Sequence, residues 1–373
     1  RLSLVGGAVC IEDVERLSVR VAALALDGLF GAEALDRVVD AVGDLALFGD
    51  DVQHSYVPYD LPWAVAGFID RVRPRQAVIM ETELWPNLFR QLRRRGITLT
   101  VANARLSPQS HRGYARVQGF ARSVLGDTTL IAAQSALDAA HFEALGAPRV
   151  EIMGNLKFDI EPPAEQVHAG QALRQRMGAT RPVWIAASTH DGEEAIALSA
   201  HSRVREWLPG ALLILVPRHP PRFEAVAQLL ERRRFVHVRR STLAEGEPAF
   251  ADPEVSVLLG DSLGEMWMYL AAADLAFVGG SLVPVGGHNV LEPAALERPV
   301  LFGPHMFNFL DAREVLLSTG AAREIAQPGD LPRLLIETLR NADLRRRMGK
   351  AGRRAITLNR GALERLLERL DEY

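Results

Sequence analysis

The sequence predicts an α/β protein of two doubly wound, parallel-sheet domains facing across a cleft. Three observations carry that prediction. Short apolar runs alternate with amphipathic segments over two successive stretches, the pattern of parallel strands joined by crossover helices. Polar residues gather at the C-terminal ends of the apolar runs, where open α/β sheets bind ligands. The length of 373 residues is long for one core and natural for two.

Taken in order, residues 1–44 give few turn signals, and VRVAALALDGLFGAEALDRVVDAV has helix-like apolar spacing. LFGDDVQHSYVPYDLP reads as a short strand closed by a Pro-bounded loop, and PWAVAGFIDRVRP as an amphipathic helix stopped at Pro74. QAVIM is a buried strand with ETELWPNL at its C-terminal end. FRQLRRRG is a helix ending at Gly96, ITLTVAN the next strand, and ARLSPQSHRGYARV a basic loop entering a helix. TTLIAAQS (strand), ALDAAHFEALGA (helix) and VEIMGNLKFD complete the first half. EPPAEQVHAGQALRQ reads as a linker and helix, after which the alternation resumes. PVWIAAST, ALLILVPR, VSVLLGD, DLAFVGG and ERPVLFGP are its strands; HDGEEAIALSAHSRVREWL, PPRFEAVAQLLERRR and GEMWMYLAAA are helices between them. Charged helices fill residues 331–373. The expected domains are 1–162 and 163–350, with a helix in 351–373 packing back on the first.

Composition excludes several classes. Hydrophobic residues make up 48% and charged ones 24%, as in soluble globular proteins. A net charge of −3 supplies no global field for nucleic acid. The single cysteine, Cys10, rules out an internal disulfide and a Cys-based zinc site. No run of 18 uncharged apolar residues predicts a transmembrane helix, and the start is not a signal peptide. The chain opens on Arg1 rather than Met, which fits a trimmed N-terminus. His54, His111, His141, His168, His201 and His237 lack metal-ligand spacing and read as surface or core residues. Phe120, Trp207 and Phe223 read as core. No metal site is expected.

The densest chemistry lies in residues 278–309, VGGSLVPVGGHNVLEPAALERPVLFGPHMFNF. Gly279, Gly280, Gly286 and Gly287 free the backbone for positive φ and close approach to a ligand. A helix beginning near Asn289 would aim its N–H groups at a phosphate, and Glu292 could accept from sugar hydroxyls. Ser281 and His288 are interleaved. The alternative is a strand-to-helix turn needing glycine only for packing. WIAASTHDGEE sets Ser188, Thr189 and His190 at a strand end, as ligand contacts or as helix caps. Arg218 and His219 end another strand; an arginine after five apolar residues is costly to bury without an anion. Lysine occurs only at Lys157 and Lys350, so Lys157 in GNLKFD stands out. Glu81 and Glu83 follow QAVIM, where alternation would put them on one face. Such a pair suits acid–base work or sugar hydroxyls, or acts as first-turn acids satisfying a helix dipole. Asn103, Arg105 and Ser107 end the next strand.

Taken together these motifs resemble the 3-deoxy-D-manno-octulosonic acid (Kdo) transferases of lipopolysaccharide assembly. VPYDLP, ETELWPNL, NARLS, AAQS, GNLKFD, AASTHDGEE, LVPRHPPRF, GDSLGEM and the stretch FVGGSLVPVGGHNVLEPAALERPVLFGPHMFNF carry the resemblance, which runs from about residue 45 to the C-terminus. It implies a GT-B fold of two Rossmann-like domains facing across a cleft. It further implies inverting, metal-independent transfer of Kdo from CMP-Kdo to the lipid A precursor (lipid IVA), without a cofactor, at the cytoplasmic face of the bacterial inner membrane. The C-terminal domain would hold CMP through Ser188, Thr189, Arg218, His219, Gly279, Gly280, Ser281, Gly287, His288, Asn289 and Glu292. Lys157 and Glu81 or Glu83 match positions near the donor sugar.

The resemblance stops in residues 1–44. The family's anchor helix, its Ser-Val-Gly-Glu type motif bearing the proposed general base, and its Thr-rich loop are not matched there. Spacing back from Val57 puts the base near Glu12 or Asp13, and a shifted reading frame would explain why length is kept while the pattern is lost. The expected mechanism has a carboxylate deprotonate an acceptor hydroxyl while Arg218 and the helix N-terminus near Asn289 stabilise the departing CMP. The alternatives are a nucleotide-sugar-binding relative that lacks the base, and another GT-B enzyme such as a nucleotide-sugar epimerase. Arg71, Arg73, Arg75, Arg90, Arg93, Arg94 and Arg95 form a basic cluster suited to anionic lipid or acceptor phosphates, or to a solvated helix face.

Overall fold

The computed structural model describes residues 8–11, 19–22, 57–244, 249–250 and 252–373. The chain divides into two compact units, Arg1–Asp159 with Asn359–Tyr373, and Ile160–Leu358.

In the first unit the strands are β1 (Ala8–Ile11), β2 (Val19–Ala22), β3 (Gln76–Met80), β4 (Thr98–Ala104), β5 (Leu130–Ala133) and β6 (Val150–Ile152). The helices are α1 (Pro62–Val72), α2 (Pro86–Arg94), α3 (Pro108–Ala115), α4 (Gln118–Leu125) and α5 (Ala136–Ala144). The sheet order is β2-β1-β3-β4-β5-β6. β3 to β6 are parallel, as the alternation predicts. β1 instead runs antiparallel to both β2 and β3. Val19–Ala22, inside the run with helical spacing, is a strand. The connection from β1 to β2 is too short for the crossover of a dozen residues that a parallel pair needs, so the edge turns back on itself.

The second unit contains β7 (Val183–Thr189), β8 (Leu212–Pro217), β9 (His237–Arg239), β10 (Val257–Leu259), β11 (Leu275–Val278), β12 (Val300–Phe302) and β13 (Ala322–Glu324). Its helices are α6 (Ala164–Met177), α7 (Glu193–Trp207), α8 (Phe223–Arg232), α9 (Met266–Ala272), α10 (Leu291–Ala295), α11 (Leu310–Ser318), α12 (Leu331–Arg340) and α13 (Ala342–Asn359). All seven strands are parallel, in the order β13-β12-β11-β7-β8-β10-β9. The chain starts at β7, builds outward through β8, then returns to lay β11 on the other side. The carboxyl ends of β7 and β11 therefore flank the point where strand order reverses, the place such sheets bind ligands.

Alternation along a strand feeds two cores. On β7, Trp184 and Ala186 join the cluster under α7 and α12, while Val183, Ile185 and Ala187 join the one under α6 and α9. On β3, Ala77 and Ile79 face one core of the first unit, and Val78 and Met80 the other. That second core is closed by the last helix, α14 (Ala362–Asp371). Ala362, Leu366 and Leu370 recur every four residues along one stripe and are buried there. Asp159 caps the helix, accepting from Gly361 N at 2.5 Å and Leu363 N at 2.7 Å.

Two aromatics read as core lie on the surface: Phe120 is 56% exposed and Trp207 61%. Trp207 ends α7 beyond its buried stripe, where the Arg340 guanidinium stacks over its ring at 5.5 Å.

Candidate functional site

The site candidates of the second unit collect at the switch point. β7 ends on Ala187, Ser188 and Thr189, and its ladder with β8 shifts register between Ala187 and Thr189. Ser188 takes φ +54°, a left-handed conformation that costs a non-glycine residue roughly 1–2 kcal/mol. Thr189 is fully buried, and its hydroxyl donates to Glu194 Oε1 at 3.1 Å. Arg222 holds Glu194 Oε2 at 3.0 Å and Asp191 at 2.9 Å. Burial pushes the Glu194 carboxyl up, against the pull of Arg222 and Thr189.

β8 ends at Pro217. Arg218 N donates to Thr189 O at 3.0 Å, and the residue emerges from the sheet exposed. An exposed guanidinium bears no burial cost, so Arg218 does not need the buried anion expected from the sequence. What Arg218 does supply is a positive charge that lowers the titration of both His288 and Glu292.

Three imidazoles meet here, His190 and His219 from the ends of β7 and β8 and His288 from the loop after β11. His190 and His288 stack with centroids 4.9 Å apart and Nε2 atoms 2.7 Å apart. His219 meets His190 edge-on at 5.1 Å. Burial, then the charges of His190, Arg218 and His219, push the His288 imidazole down to about 3.

The stretch after β11 is tightly folded. The Ser281 hydroxyl donates to Val278 O and accepts from Gly303 N at 2.8 Å, so Ser281 and Thr189 spend their side chains on the fold. A Cβ on Gly279 would lie 2.5 Å from Ser188 O; glycine lets β11's exit pass against β7's. Gly287 takes φ +77°, and a Cβ there would collide with Met306. The helix expected from Asn289 is the five-residue α10, with Pro293 inside it and Glu297 at φ +57° just beyond. So short a helix has little dipole to offer. Its polar contribution comes from side chains: Asn289 Oδ1 accepts from Leu291 N at 3.0 Å and Asn289 Nδ2 donates to Glu292 Oε1 at 3.2 Å. Burial pushes the Glu292 carboxyl up to about 7, opposed by Asn289 and Arg218.

In the first unit the candidates also sit at strand ends. β3 stops at Met80, and Glu81 takes φ +58° with its N–H on Ala102 O at 2.8 Å. Strand alternation therefore does not reach Glu81 and Glu83. Glu81 meets Lys157 Nζ at 3.6 Å, while Glu83 Oε2 accepts from Trp85 Nε1 at 3.2 Å. Asn103, buried at φ +53°, accepts from Leu156 N on its side chain at 3.1 Å and from Gln134 Nε2 on its carbonyl at 2.8 Å. It thereby fixes the turn that carries Lys157. Glu12 and Asp13 lie outside the described residues.

Two functional supports were not singled out in the sequence. Asp60 accepts from Asn87 N at 2.9 Å and Leu88 N at 2.8 Å, capping α2 and joining VPYDLP to ETELWPNL. Glu193, in the WIAASTHDGEE stretch, has its carboxylate fully buried against the turn after β11. In the basic cluster, Arg95 pairs with Asp70 at 2.8 Å and Arg93 with Asp127 at 3.4 Å. Among the described residues, no group of three or more His, Cys, Asp or Glu is arranged to hold a metal ion. No helix among them is long and apolar enough to cross a membrane.

Two Rossmann-like α/β units give the chain a fold of the GT-B class. A family model for 3-deoxy-D-manno-octulosonic-acid transferase (kdotransferase) matches residues 36–160, starting within the stretch where the motifs fade. The chain is 42% identical over 331 residues to the 3-deoxy-D-manno-octulosonic acid transferase of Haemophilus influenzae, covering 88% of this chain and 76% of that protein. Identity to the Bordetella pertussis enzyme of the same name is 37% over 328 residues, covering 86% and 74%. A solved structure of Anabaena HepE in complex with UDP shares the fold, with a TM-score of 0.54 at 13% identity over 89% of each chain. The chain belongs to the Kdo transferase family.

Proposed function

We propose that this chain transfers Kdo from CMP-Kdo to the lipid A precursor, with inversion and without a resident metal or other cofactor. The observation that carries the donor half is the grouping of Arg218, His219, His288, Asn289 and Glu292 at the β7/β11 switch point. Arg218 supplies a fixed positive charge for the phosphate, His219 and His288 supply N–H donors, and Glu292 suits a pair of ribose hydroxyls. The first unit serves the acceptor. There Lys157, on the turn that Asn103 fixes through Leu156 N and paired with Glu81, supplies a positive charge suited to a sugar carboxylate. A carboxylate takes the proton from the acceptor hydroxyl, whose oxygen attacks the anomeric carbon as CMP leaves; Glu12 and Asp13 are its candidates. Work at the cytoplasmic face of the inner membrane, with the exposed arginines of α1 and α2 against anionic lipid, completes the reading.

A second reading, donor binding without transfer, is favoured by the unmatched general-base motif in the N-terminal residues. One assay separates the two: transfer from CMP-Kdo made in situ to a tetraacylated lipid A precursor, beside CMP binding. Activity in the parent, lost in Arg218→Ala and in either Glu12→Ala or Asp13→Ala, supports the transferase. CMP binding with no transfer by the parent supports the second reading, and no CMP binding overturns both.

A further inference from the structure

The sequence around Gly279 and Gly280 predicts a backbone free to approach a ligand, and the turn after β11 presents successive N–H groups. In the structure they are already occupied. Glu193, the first residue of α7, has no exposed surface. Its Oε2 accepts from His190 N at 2.9 Å and Gly280 N at 2.7 Å, and its Oε1 from Ser281 N at 3.1 Å and Leu282 N at 2.9 Å. A carboxylate has about four lone-pair sites, and all four are filled by backbone donors. Successive N–H groups of this kind make an anion-binding concavity. Here the anion is the protein's own side chain.

We propose that Glu193 is a positioning residue for the donor nucleotide: an internal anion that locks the ends of β7 and β11 together and thereby places the imidazoles that meet the phosphate. This rests on the donor-site reading above. The physical chain is short. One oxygen of Glu193 joins His190 N to Gly280 N, so the two strands flanking the switch point share a single acceptor. Gly280 takes φ +66°, and a Cβ there would lie 3.0 Å from the His288 ring. Gly280 O accepts from Gly287 N at 2.8 Å, which sets the residue just before His288. The His190 and His288 rings then meet Nε2 to Nε2 at 2.7 Å. With the cradle filled, the donor phosphate is excluded from the turn's amides and left to Arg218 and the imidazoles. Removing the carboxylate leaves four N–H groups without that acceptor, two of them buried and two half-buried, a cost large enough to reshape the turn.

The test uses the full chain and CMP as probe. Glu193→Ala should weaken CMP binding by about tenfold or more, and sodium formate, a free carboxylate small enough for the vacated space, should recover part of the loss where sodium chloride at equal ionic strength does not. Glu193→Gln keeps the volume but turns an NH2 against N–H donors, so it should lose affinity and gain nothing from formate. Histidine-ring NMR supplies a readout that needs no nucleotide: the resonances of the His190–His288 pair should shift in folded Glu193→Gln. Parent-like CMP affinity in a folded Glu193 variant, or unchanged ring signals in Glu193→Gln, overturns the proposal. If the parent itself fails to bind CMP, the donor-site reading falls, while the ring signals still decide whether Glu193 places the imidazoles.

Discussion

The Nε2 atoms of His190 and His288 lie 2.7 Å apart, a separation that requires one N–H and one lone pair. The two rings therefore share a single proton across that contact. His288 is the one that burial and neighbouring charge hold neutral, with His190 the largest of the charged contributions. Replacing His190 by Ala removes that contribution and leaves burial in place. The His288 imidazole should then titrate higher than about 3 without reaching its ordinary value near 6.5, as read by NMR titration of the ring. An unmoved titration would show that the pair is not electrostatically coupled.

On the proposed donor-site reading, Glu292 gives CMP binding a pH dependence near neutrality. Burial raises its carboxyl to about 7, so it is mostly neutral below that pH and mostly ionised above it. An ionised carboxylate can accept from two hydroxyls, whereas the neutral acid resembles an amide in polarity and shape. Glu292→Gln should therefore bind CMP almost as well as the parent at about pH 6, and about tenfold more weakly at about pH 8. Calorimetric titrations at the two pH values measure the gap. A gap that stays constant would remove Glu292 from the ribose.

Much of this was legible in the sequence, for local reasons. QAVIM gives β3 at its full extent, Gln76–Met80, because a glutamine and four apolar residues between a Pro-stopped helix and a polar turn admit few other readings. The strand-end clusters were legible because a parallel sheet forces polar chemistry to the same edge. What escaped depends on distant partners. Glu193 pairs with a turn 87 residues away, and no periodicity reports that. The apolar run before Arg218 predicts a burial that the structure does not show, since sequence shows how apolar a strand is and not where its last residue emerges. β2 was hidden because four residues of VRVA fit a helical stripe as well as an edge strand.

Asp159 caps α14 through Gly361 N and Leu363 N, and the helix buries Leu366 and Leu370 against the β3 face. Asp159→Ala should cost about 1–2 kcal/mol. Leu366→Ala should cost roughly 2–5 kcal/mol through the cavity it leaves. Because the chain has two compact units, a single melting temperature averages over both. Hydrogen exchange of the α14 amides reads the effect locally, and protection there should fall before it falls in α7.

His201 predicts how the second unit responds to acid. It is fully buried; Trp184 Nε1 donates to its Nδ1 at 3.1 Å, which leaves Nε2 to donate to Ser256 O at 2.9 Å. The Trp184 bond requires a lone pair on Nδ1 and so the neutral ring, and burial pushes the imidazole down to about 3 against the opposing pull of the Ser256 bond. A histidine depressed in the folded state binds fewer protons there than in the unfolded chain. Its contribution is therefore fully present above the unfolded value near 6.5 and is lost as pH falls toward about 3. By about pH 5 the loss should amount to roughly 2 kcal/mol. His201→Gln cannot titrate and still donates to Ser256 O, but it leaves the Trp184 N–H poorly matched. It should therefore start about 1–3 kcal/mol less stable at neutral pH and show a flatter decline on acidification. Denaturant melts of parent and variant at about pH 7 and about pH 5, followed by the fluorescence of buried Trp184, separate baseline from slope. Parallel declines would mean that acid enters the second unit by another group.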